Sequence, residues 1–223
     1  MARHDDEQGQ QMIFDIIVGT DSSTGTDPYF SSVVLGMHMD GSNGGTSFPD
    51  ITGKTVTPTN VTTSTTNFKY GTASGYFNGT GRIAIADAGV FSFPGDYTVE
   101  LWASGDIALP CLFYAGAYTY LHNNQLLINN TSIVSGLGLD QTTTWKHVAI
   151  TRAGSTVRVF QNGVIKGSGT SSTTHNYTNP YFGYYAPNGN LYFTGYIDDI
   201  RITKGVARYT GPFTPPTSAF PNS

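Results

Sequence analysis

The chain has 223 residues, and only 12% of them are charged, whereas 27 are glycine, 14 tyrosine and 13 phenylalanine. This composition predicts many short strands joined by turns and excludes a protein built on long amphipathic helices. The net charge is -4 and the Lys and Arg residues form no cluster, so we expect no nucleic-acid partner.

Neither a signal peptide nor a membrane span is expected, because no stretch is long and apolar enough for either. The only cysteine, Cys111, has no partner for an intrachain disulfide, so the fold does not depend on an oxidising compartment. We therefore expect synthesis and folding in a cytoplasm and no insertion into a membrane.

Residues 1–30 differ in composition from the rest and are predicted to form an N-terminal arm and linker. A polar tip leads into a short apolar strand, which is predicted to attach the arm by adding to a sheet edge on this subunit or a neighbour. The alternative is a frayed terminus with one edge strand of the same domain. The apolar residues assigned to attachment are Ile13, Phe14, Ile16 and Ile17.

The first strand pattern of the domain is 33–39, and the Gly-rich segment that follows Asp40 is a turn signal. The segment 75–85 is predicted to form two short strands around an Asn78-Gly79 turn. Bulky residues on both faces of 97–103 are typical of a strand at the centre of a sandwich.

Three shorter strands are predicted between 111 and 139, followed by a meander over 145–167 with a hairpin turn at Asn162-Gly163. Further strands are predicted between 181 and 194. Residues 210–223 form a Pro-rich tail that is predicted to run extended over the surface.

The stretch 195–203 alternates as a strand does. This alternation places Asp198 on the same face as Ile200 and Ile202, and Asp199 on the opposite face with Arg201. A carboxylate on an apolar face must be hydrogen-bonded, paired or bound to a metal. Asp198 therefore needs a partner from elsewhere in the chain.

About twelve short strands with hairpins and without helices predict an all-β fold, a two-sheet antiparallel sandwich. The motifs of the chain resemble, in their order, those of the laminin-G-like, concanavalin-A-like jelly-roll family. The resemblance is carried by the segments 34–41, 71–79, 96–102, 145–152, 159–163 and 195–202. It implies a jelly roll over 31–209, preceded by the extended N-terminal arm and followed by the tail.

The end of this domain is similar to versions of it found in tailed-phage structural proteins. The similarity is carried by residues 202–209 and by Phe213-Thr214-Pro215-Pro216. It implies a component of a virion, whose partners are other capsid or tail proteins and sister subunits in a homo-oligomer.

The family resemblance also implies a calcium site at one edge of the sandwich. The matching ligands are Asp40 after the first strand and Asp198 or Asp199 in the last, with Asp50 as a further candidate. An ion there would link the first strand to the last. The alternative is that Asp198 accepts backbone N–H groups or pairs with an arginine, of which the candidates are Arg82, Arg152 and Arg158.

Tyrosines in the loops and short strands are candidates for a platform on which sugar rings stack. Asparagine amides beside them would orient the sugar hydroxyls. The alternative is that most of these rings belong to the core or to sheet surfaces. The candidate residues are Tyr114, Tyr118, Tyr120, Tyr181, Tyr184 and Tyr185, with Asn123 and Asn124.

Several members of the wider fold are glucanases that place acidic residues along one strand as Glu-x-Asp-x-Glu. This chain has two glutamates, Glu7 and Glu100, and lacks that motif. Strand alternation separates Asp198 from Asp199, so they are not expected to act as a catalytic pair. We therefore predict no catalytic residue and no enzymatic activity.

These observations predict a non-enzymatic phage virion surface protein, a head decoration protein that displays a lectin-like jelly roll. The alternative function is a tail or fibre adhesin that binds glycans of the host surface. A glycosidase with a site assembled from distant aspartates is a third possibility.

Overall fold

The computed structural model describes residues 26–86, 89–105, 112–115, 119–122, 124–140, 142–176, 179–185 and 191–223. Within these ranges the only helical element is the 3-10 turn Phe30–Ser32, and no helix is long and apolar enough to cross a membrane. The strands in chain order are β1 Val33–Met37, β2 Val56–Ser64, β3 Ser74–Ile85, β4 Ser92–Phe93, β5 Tyr97–Gly105, β6 Phe113–Ala115, β7 Thr119–His122, β8 Gln125–Ile128, β9 Thr131–Val134, β10 Thr142–Ala153, β11 Thr156–Gln161, β12 Val164–Thr170, β13 His175–Asn176, β14 Tyr181–Phe182, β15 Tyr184–Tyr185, β16 Leu191–Tyr192 and β17 Thr194–Lys204.

The strands form the predicted two-layer antiparallel jelly roll. The first sheet has the order β12-β11-β10-β5-β17, and β1 pairs with the second half of β17. The second sheet has the order β14-β6-β7-β8-β9. Strand β3 takes part in both sheets, because its first half pairs with β17 and its second half pairs with β14. Strand β2 does so too, because it pairs with both halves of β3. The all-β sandwich expected from the sequence is confirmed.

The predicted hairpin at Asn78-Gly79 is wrong, because β3 runs through these residues as one strand. Its partner β2 pairs on both sides of the site, with Val61 opposite Phe77 and Thr59 opposite Arg82. The extra residues on β3 form a bulge, which Gly79 accommodates with a φ of +83°. At this bulge β3 passes from the first sheet to the second.

The predicted alternation along β17 is also wrong, because the strand contains a bulge at Asp199. Asp198 lies opposite Trp102 and Arg201 lies opposite Glu100, so two residues face one on β5. Asp199 takes up this shift with a φ of +47°, a conformation that Asp tolerates better than most residues. As a result Ile197, Ile200 and Ile202 all enter the core. Asp198 does not share their face.

The core lies between the two sheets and is built from alternate residues of the paired strands. On β5, Val99 and Leu101 point into it, whereas Glu100 points to the outer face. On the second sheet, Phe113 and Phe182 pair across β6 and β14 and pack in the core. Each sheet therefore presents one outer face that is separate from this core.

The Pro-rich tail lies on the outer face of the first sheet. It contains no helix or strand, but its aromatic side chains pack on the sheet. The rings of Tyr209 and Phe213 stack with centroids 3.5 Å apart, and Phe213 also contacts Phe160 and His147. Phe220, near the end of the chain, is buried. The tail is therefore part of the packed structure.

We expect Gly163→Ala to lower the free energy of unfolding by about 2 kcal/mol or more, measured by urea denaturation. Gly163 has a φ of +76°, and a Cβ atom there would overlap the carbonyl oxygen of Phe213 in the tail. The matched control is Gly154→Ala, since Gly154 also has a positive φ of +58° but has nothing within 4 Å of a Cβ. An equal decrease in the free energy of unfolding in the two variants would show that contact with the tail does not restrict the residue at position 163.

Candidate functional site

The outer face of the first sheet carries a buried ionic cluster. Glu100, which is fully buried, accepts hydrogen bonds from Arg201 Nε at 2.9 Å and from the Tyr209 hydroxyl at 2.7 Å. Arg201 Nη1 also donates to Asp27 at 3.0 Å, and Arg208 donates to both carboxylate oxygens of Asp27. His147 Nε2 lies 3.2 Å from Glu100 and completes the set.

The charges of this cluster compensate one another. Burial by itself would raise the pKa of Glu100, but the positive charge of Arg201 and the hydrogen bond from His147 outweigh it and hold the pKa well below its usual range. Burial likewise opposes ionisation of Asp27, and Arg208 outweighs it and lowers that pKa. The cluster is closed over by the tail, where Phe220 lies with its ring centroid 3.9 Å from the Arg201 guanidinium. Its geometry is that of a structural ion-pair network.

The two aspartates of β17 make separate sets of contacts. Asp198 accepts backbone N–H groups from Lys69 at 2.8 Å, from Tyr70 at 3.1 Å and from Asp199 at 2.8 Å. Asp199 lies 2.7 Å from His38 Nδ1 and accepts the backbone N–H of Phe220 at 2.7 Å. Burial raises the pKa of both carboxyls, that of Asp198 to about 7.

The partners of Asp198 are therefore backbone N–H groups, which is one of the two alternatives that the sequence left open. None of the three candidate arginines pairs with it. Arg152 donates to the carbonyl oxygens of Gly154 and Thr173, and Arg82 lies on the second sheet.

The other two candidate calcium ligands also have donors of their own. Asp40 Oδ1 accepts N–H groups from Thr72 at 2.5 Å and Ala73 at 3.1 Å. Asp50 accepts the N–H groups of Gly36 at 2.7 Å and Lys54 at 2.8 Å. Within the described ranges no group of three or more His, Cys, Asp or Glu side chains is arranged to hold a metal ion. These donor sets do not fit a shared cation, and calcium binding stays a prediction of the resemblance.

The outer face of the second sheet carries a cluster of tyrosines. Tyr181 on β14 lies 6.0 Å from Tyr114 on β6 and 5.7 Å from Tyr184 on β15, measured between ring centroids. Tyr184 in turn lies 5.0 Å from Tyr192 on β16, and Tyr114 contacts Tyr185 edge to face at 5.8 Å. We call these five residues the tyrosine cluster.

Strand alternation explains why these rings point outward. Tyr181 is paired with Tyr114, and the next pair along, Phe182 with Phe113, enters the core. Tyr114, Tyr184 and Tyr185 are nearly buried, whereas Tyr181 and Tyr192 are partly exposed. The exposed rings are thus held in place by buried ones, which is the arrangement that a rigid stacking surface requires.

One cation lies over the cluster. The guanidinium carbon of Arg82 on β3 is 5.0 Å from the ring centroid of Tyr184 and 5.7 Å from that of Tyr181. Arg82 is two residues before Ala84, which pairs with Tyr181, so alternation directs both residues to this outer face. Cation–π contacts of this kind hold the guanidinium in a fixed position.

The predicted sugar-binding residues are brought together in part. Tyr114, Tyr181, Tyr184 and Tyr185 join the tyrosine cluster, and the backbone of Tyr120 pairs with that of Tyr114. Asn124 instead accepts the backbone N–H of Leu139. Tyr118, Asn123 and the side chain of Tyr120 lie outside the described residues, as do the arm residues Ile13, Phe14, Ile16 and Ile17.

Sequence reasoning missed Tyr192 and Arg82 as members of this site. Tyr192 belongs to a strand of only two residues, and so short a strand does not show from its sequence which side chain faces outward. Arg82 was considered only as a partner for Asp198. The sequence did contain a signal for Arg82. In the second half of β3 the even-numbered residues face outward, and Arg82 is one of them, two residues before Ala84.

A laminin-G-type family, described as the concanavalin A-like lectin/glucanases superfamily, matches residues 113–208. No curated protein is significantly similar to the chain in sequence. The fold is that of a concanavalin A-like jelly-roll sandwich, and the family match covers the part of it from residue 113 to residue 208.

Solved structures share the fold at low sequence identity. Domain 4 of AbnA, an extracellular arabinanase of Geobacillus stearothermophilus solved with arabinotriose, is 19% identical with a TM-score of 0.56, covering 83% of this chain and 96% of its own. The binding domain of Paraclostridial Mosquitocidal Protein 1 is 14% identical with a TM-score of 0.58, covering 87% and 51%. Trypanosoma rangeli sialidase in complex with sialic acid is 15% identical with a TM-score of 0.57, covering 78% and 31%. At these identities the likeness shows the fold alone.

We expect the free energy of unfolding to fall as the pH rises from 6.5 to about 9, because of His38. The hydrogen bond to Asp199 raises the pKa of His38 from 6.5 to about 9, against the opposing effect of burial. The folded state therefore binds this proton more tightly than the unfolded state. Its stabilisation is complete below pH 6.5 and is lost as the pH passes through about 9, a change of about 3 kcal/mol.

Urea denaturation at a series of pH values measures this dependence. The His38→Gln variant cannot be protonated at this position and should lose most of the decline above pH 7, where the carboxyl of Asp198, with a pKa of about 7, no longer contributes. A variant whose stability declines with pH as steeply as the native protein would rule out His38 as the cause.

Proposed function

We propose that this chain is a non-enzymatic, lectin-like jelly-roll domain that binds glycans through the tyrosine cluster and is displayed on the surface of a phage virion. The observation that carries the binding role is the tyrosine cluster, in which the partly exposed rings of Tyr181 and Tyr192 rest on buried rings of the same residue type. Such a surface suits a pyranose ring, because the apolar face of the sugar stacks on the aromatic face and the phenol hydroxyls reach its hydroxyl groups.

The likeness to other proteins supports this class of ligand. The arabinanase domain that shares the fold over nearly its whole length was solved with an oligosaccharide, arabinotriose. Another structure with this fold is the receptor-binding domain of botulinum neurotoxin type G, which is 13% identical. The neurotoxin domain is a binding domain by name, and binding without catalysis is the role that we propose here.

The acidic residues support a role without catalysis. Glu100 is fully buried and engaged by Arg201 and Tyr209. Asp198 and Asp199 accept backbone N–H groups. A glycosidase needs one carboxyl group that attacks or activates water and another that donates a proton at the same bond. These three carboxylates already serve as acceptors within the fold.

The virion context rests on the resemblance of residues 202–209 and 213–216 to versions of the domain in tailed-phage structural proteins, and the positions of Asp27 and Ser223 are compatible with it. The backbone N–H of Asp27 donates to the carbonyl oxygen of Ser223 at 2.7 Å, and Asp27 is bound to Arg201 on the outer face of the first sheet. The arm therefore joins the domain on the face opposite the tyrosine cluster. Attachment through the arm, to capsid or tail proteins or to sister subunits, would leave the tyrosines pointing outward.

We expect Tyr181→Ala and Tyr192→Ala each to weaken binding to a recognised oligosaccharide at least tenfold, because each removes a ring on which the sugar stacks. A glycan array identifies the ligand, and titration calorimetry measures the dissociation constant. The matched control is Tyr76→Ala, since Tyr76 is 38% exposed and pairs with Tyr196 at 5.2 Å on the first sheet. Equal losses in Tyr76→Ala and Tyr181→Ala would contradict binding at the tyrosine cluster.

We expect an antibody against this chain to label intact phage particles after synthesis of the protein in the host cytoplasm. Label on the head supports the decoration role, and label on the tail supports the alternative role as an adhesin. Deletion of residues 1–25 should abolish incorporation into particles and leave glycan binding unchanged, because Asp27 and its ion pairs are kept. Particles without label would contradict the virion assignment.

A further inference from the structure

Arg82 is a cation at the tyrosine cluster whose hydrogen-bonding groups are not used by the residues that the structure describes. Its guanidinium contacts the faces of Tyr181 and Tyr184, and the residue is partly exposed. No hydrogen bond or ion pair joins it to any residue that the structure describes. A guanidinium has five N–H donors in a planar fork. Arg82 therefore presents unused donors at the edge of the stacking surface.

Three other arginines of the domain have hydrogen-bond partners within the fold. Arg201 and Arg208 are held by Glu100 and Asp27 through several hydrogen bonds. Arg152 donates to two carbonyl oxygens. These arginines serve the packing of the first sheet, whereas Arg82 serves no such contact on the second.

The position of Arg82 is also fixed before any ligand arrives. The bulge in β3 ends just before it, and pairing of β3 with β2 on one side and β14 on the other holds its backbone. Two tyrosine rings then limit where the guanidinium lies. A donor fork that is held in place loses little conformational entropy when it binds, which favours a planar acceptor that takes two parallel hydrogen bonds.

We propose that the tyrosine cluster and Arg82 together recognise an acidic glycan, one whose sugar carries a carboxylate. The inference rests on the proposed function, because it names the class of glycan for the same surface. The sugar ring stacks on Tyr181 or Tyr192, and its carboxylate accepts two N–H groups from Arg82. A neutral sugar would leave these donors to water, and its affinity would lack the charged contribution.

The test compares an oligogalacturonate and an oligosialic acid with their carboxyl-reduced forms, which keep the sugar rings and lose the charge. A sulfated neutral oligosaccharide is added to separate a carboxylate from any anion. Titration calorimetry at low and moderate salt gives the dissociation constants. We expect at least one acidic oligosaccharide to bind tenfold or more tightly than its reduced form, with the preference weakening as salt is added.

Variants of Arg82 then assign the preference to this residue. Arg82→Gln should bring the ratio of acidic to reduced affinity close to one, and Arg82→Lys should restore only part of it because an ammonium lacks the fork. The matched control is Lys166→Gln on β12, which removes one positive charge elsewhere and should keep the full ratio. Thermal melting of each variant checks that the fold is intact.

The outcomes separate this inference from the proposed function. Binding to reduced and acidic forms with equal affinity, or an unchanged ratio in Arg82→Gln, would overturn the acidic-glycan inference and leave glycan binding in place. Tighter binding of the sulfated sugar than of either carboxylated one would overturn the assignment of a carboxylate. Failure to bind any of these oligosaccharides or any glycan on an array would overturn the proposed function itself.

Discussion

The buried ion pair between Glu100 and Arg201 is the interaction on which the rest of the domain depends. A carboxylate without exposure to solvent is costly unless its charge is compensated and its oxygens are hydrogen-bonded. Here the compensation comes from parts of the chain that are distant in sequence, since Arg201 bridges to Asp27 and Tyr209 donates from the position just before the tail. The charge of Glu100 is therefore compensated only when the segments around Asp27 and Tyr209 are packed on the outer face. This requirement makes the tail and the residues around Asp27 integral to the jelly roll.

The bulge at Asp199 is what makes that arrangement compatible with an apolar core. Without it, alternation would place Asp198 among the isoleucines, as the sequence pattern predicts. With it, Ile197 and Ile200 both face inward, and Arg201 returns to the outer face opposite Glu100. The pattern of one strand predicts its existence and length but not a bulge, because a bulge is a property of the register between two strands. The same limit explains the hairpin wrongly predicted at Asn78-Gly79, where a turn signal lies inside a bulge of a continuous strand.

The sequence predicted the sandwich and most of the tyrosine cluster, for different physical reasons. Strand count, turn residues and motif order determine the fold class with little need for tertiary detail. Tyr114 and Tyr184 were predicted because tyrosines in loops and short strands are candidates for a surface on which sugars stack. The position of Arg82 beside them depends on β3 crossing between sheets, which brings Arg82 beside Tyr181, about a hundred residues later in the chain. For calcium, the sequence pattern and the contacts point in different directions. Asp40 and Asp198 match the family pattern, but each accepts hydrogen bonds from backbone N–H groups.

The two outer faces of the sandwich use polar and aromatic residues in opposite ways. On the first, Glu100 and Arg201 satisfy each other, and Phe213 and Phe220 cover them. The carboxylate and guanidinium of this pair gain little from a ligand, because a new hydrogen bond to either would replace an existing one. On the second, buried tyrosine rings pack against the partly exposed ones. Arg82 donates no hydrogen bond to any residue that the structure describes, so its N–H groups can bind water or a ligand. Asp27 and Ser223 meet on the first face, where the backbone N–H of Asp27 donates to the carbonyl oxygen of Ser223. The ion pairs that stabilise the fold therefore hold these two residues on the face opposite the tyrosine cluster.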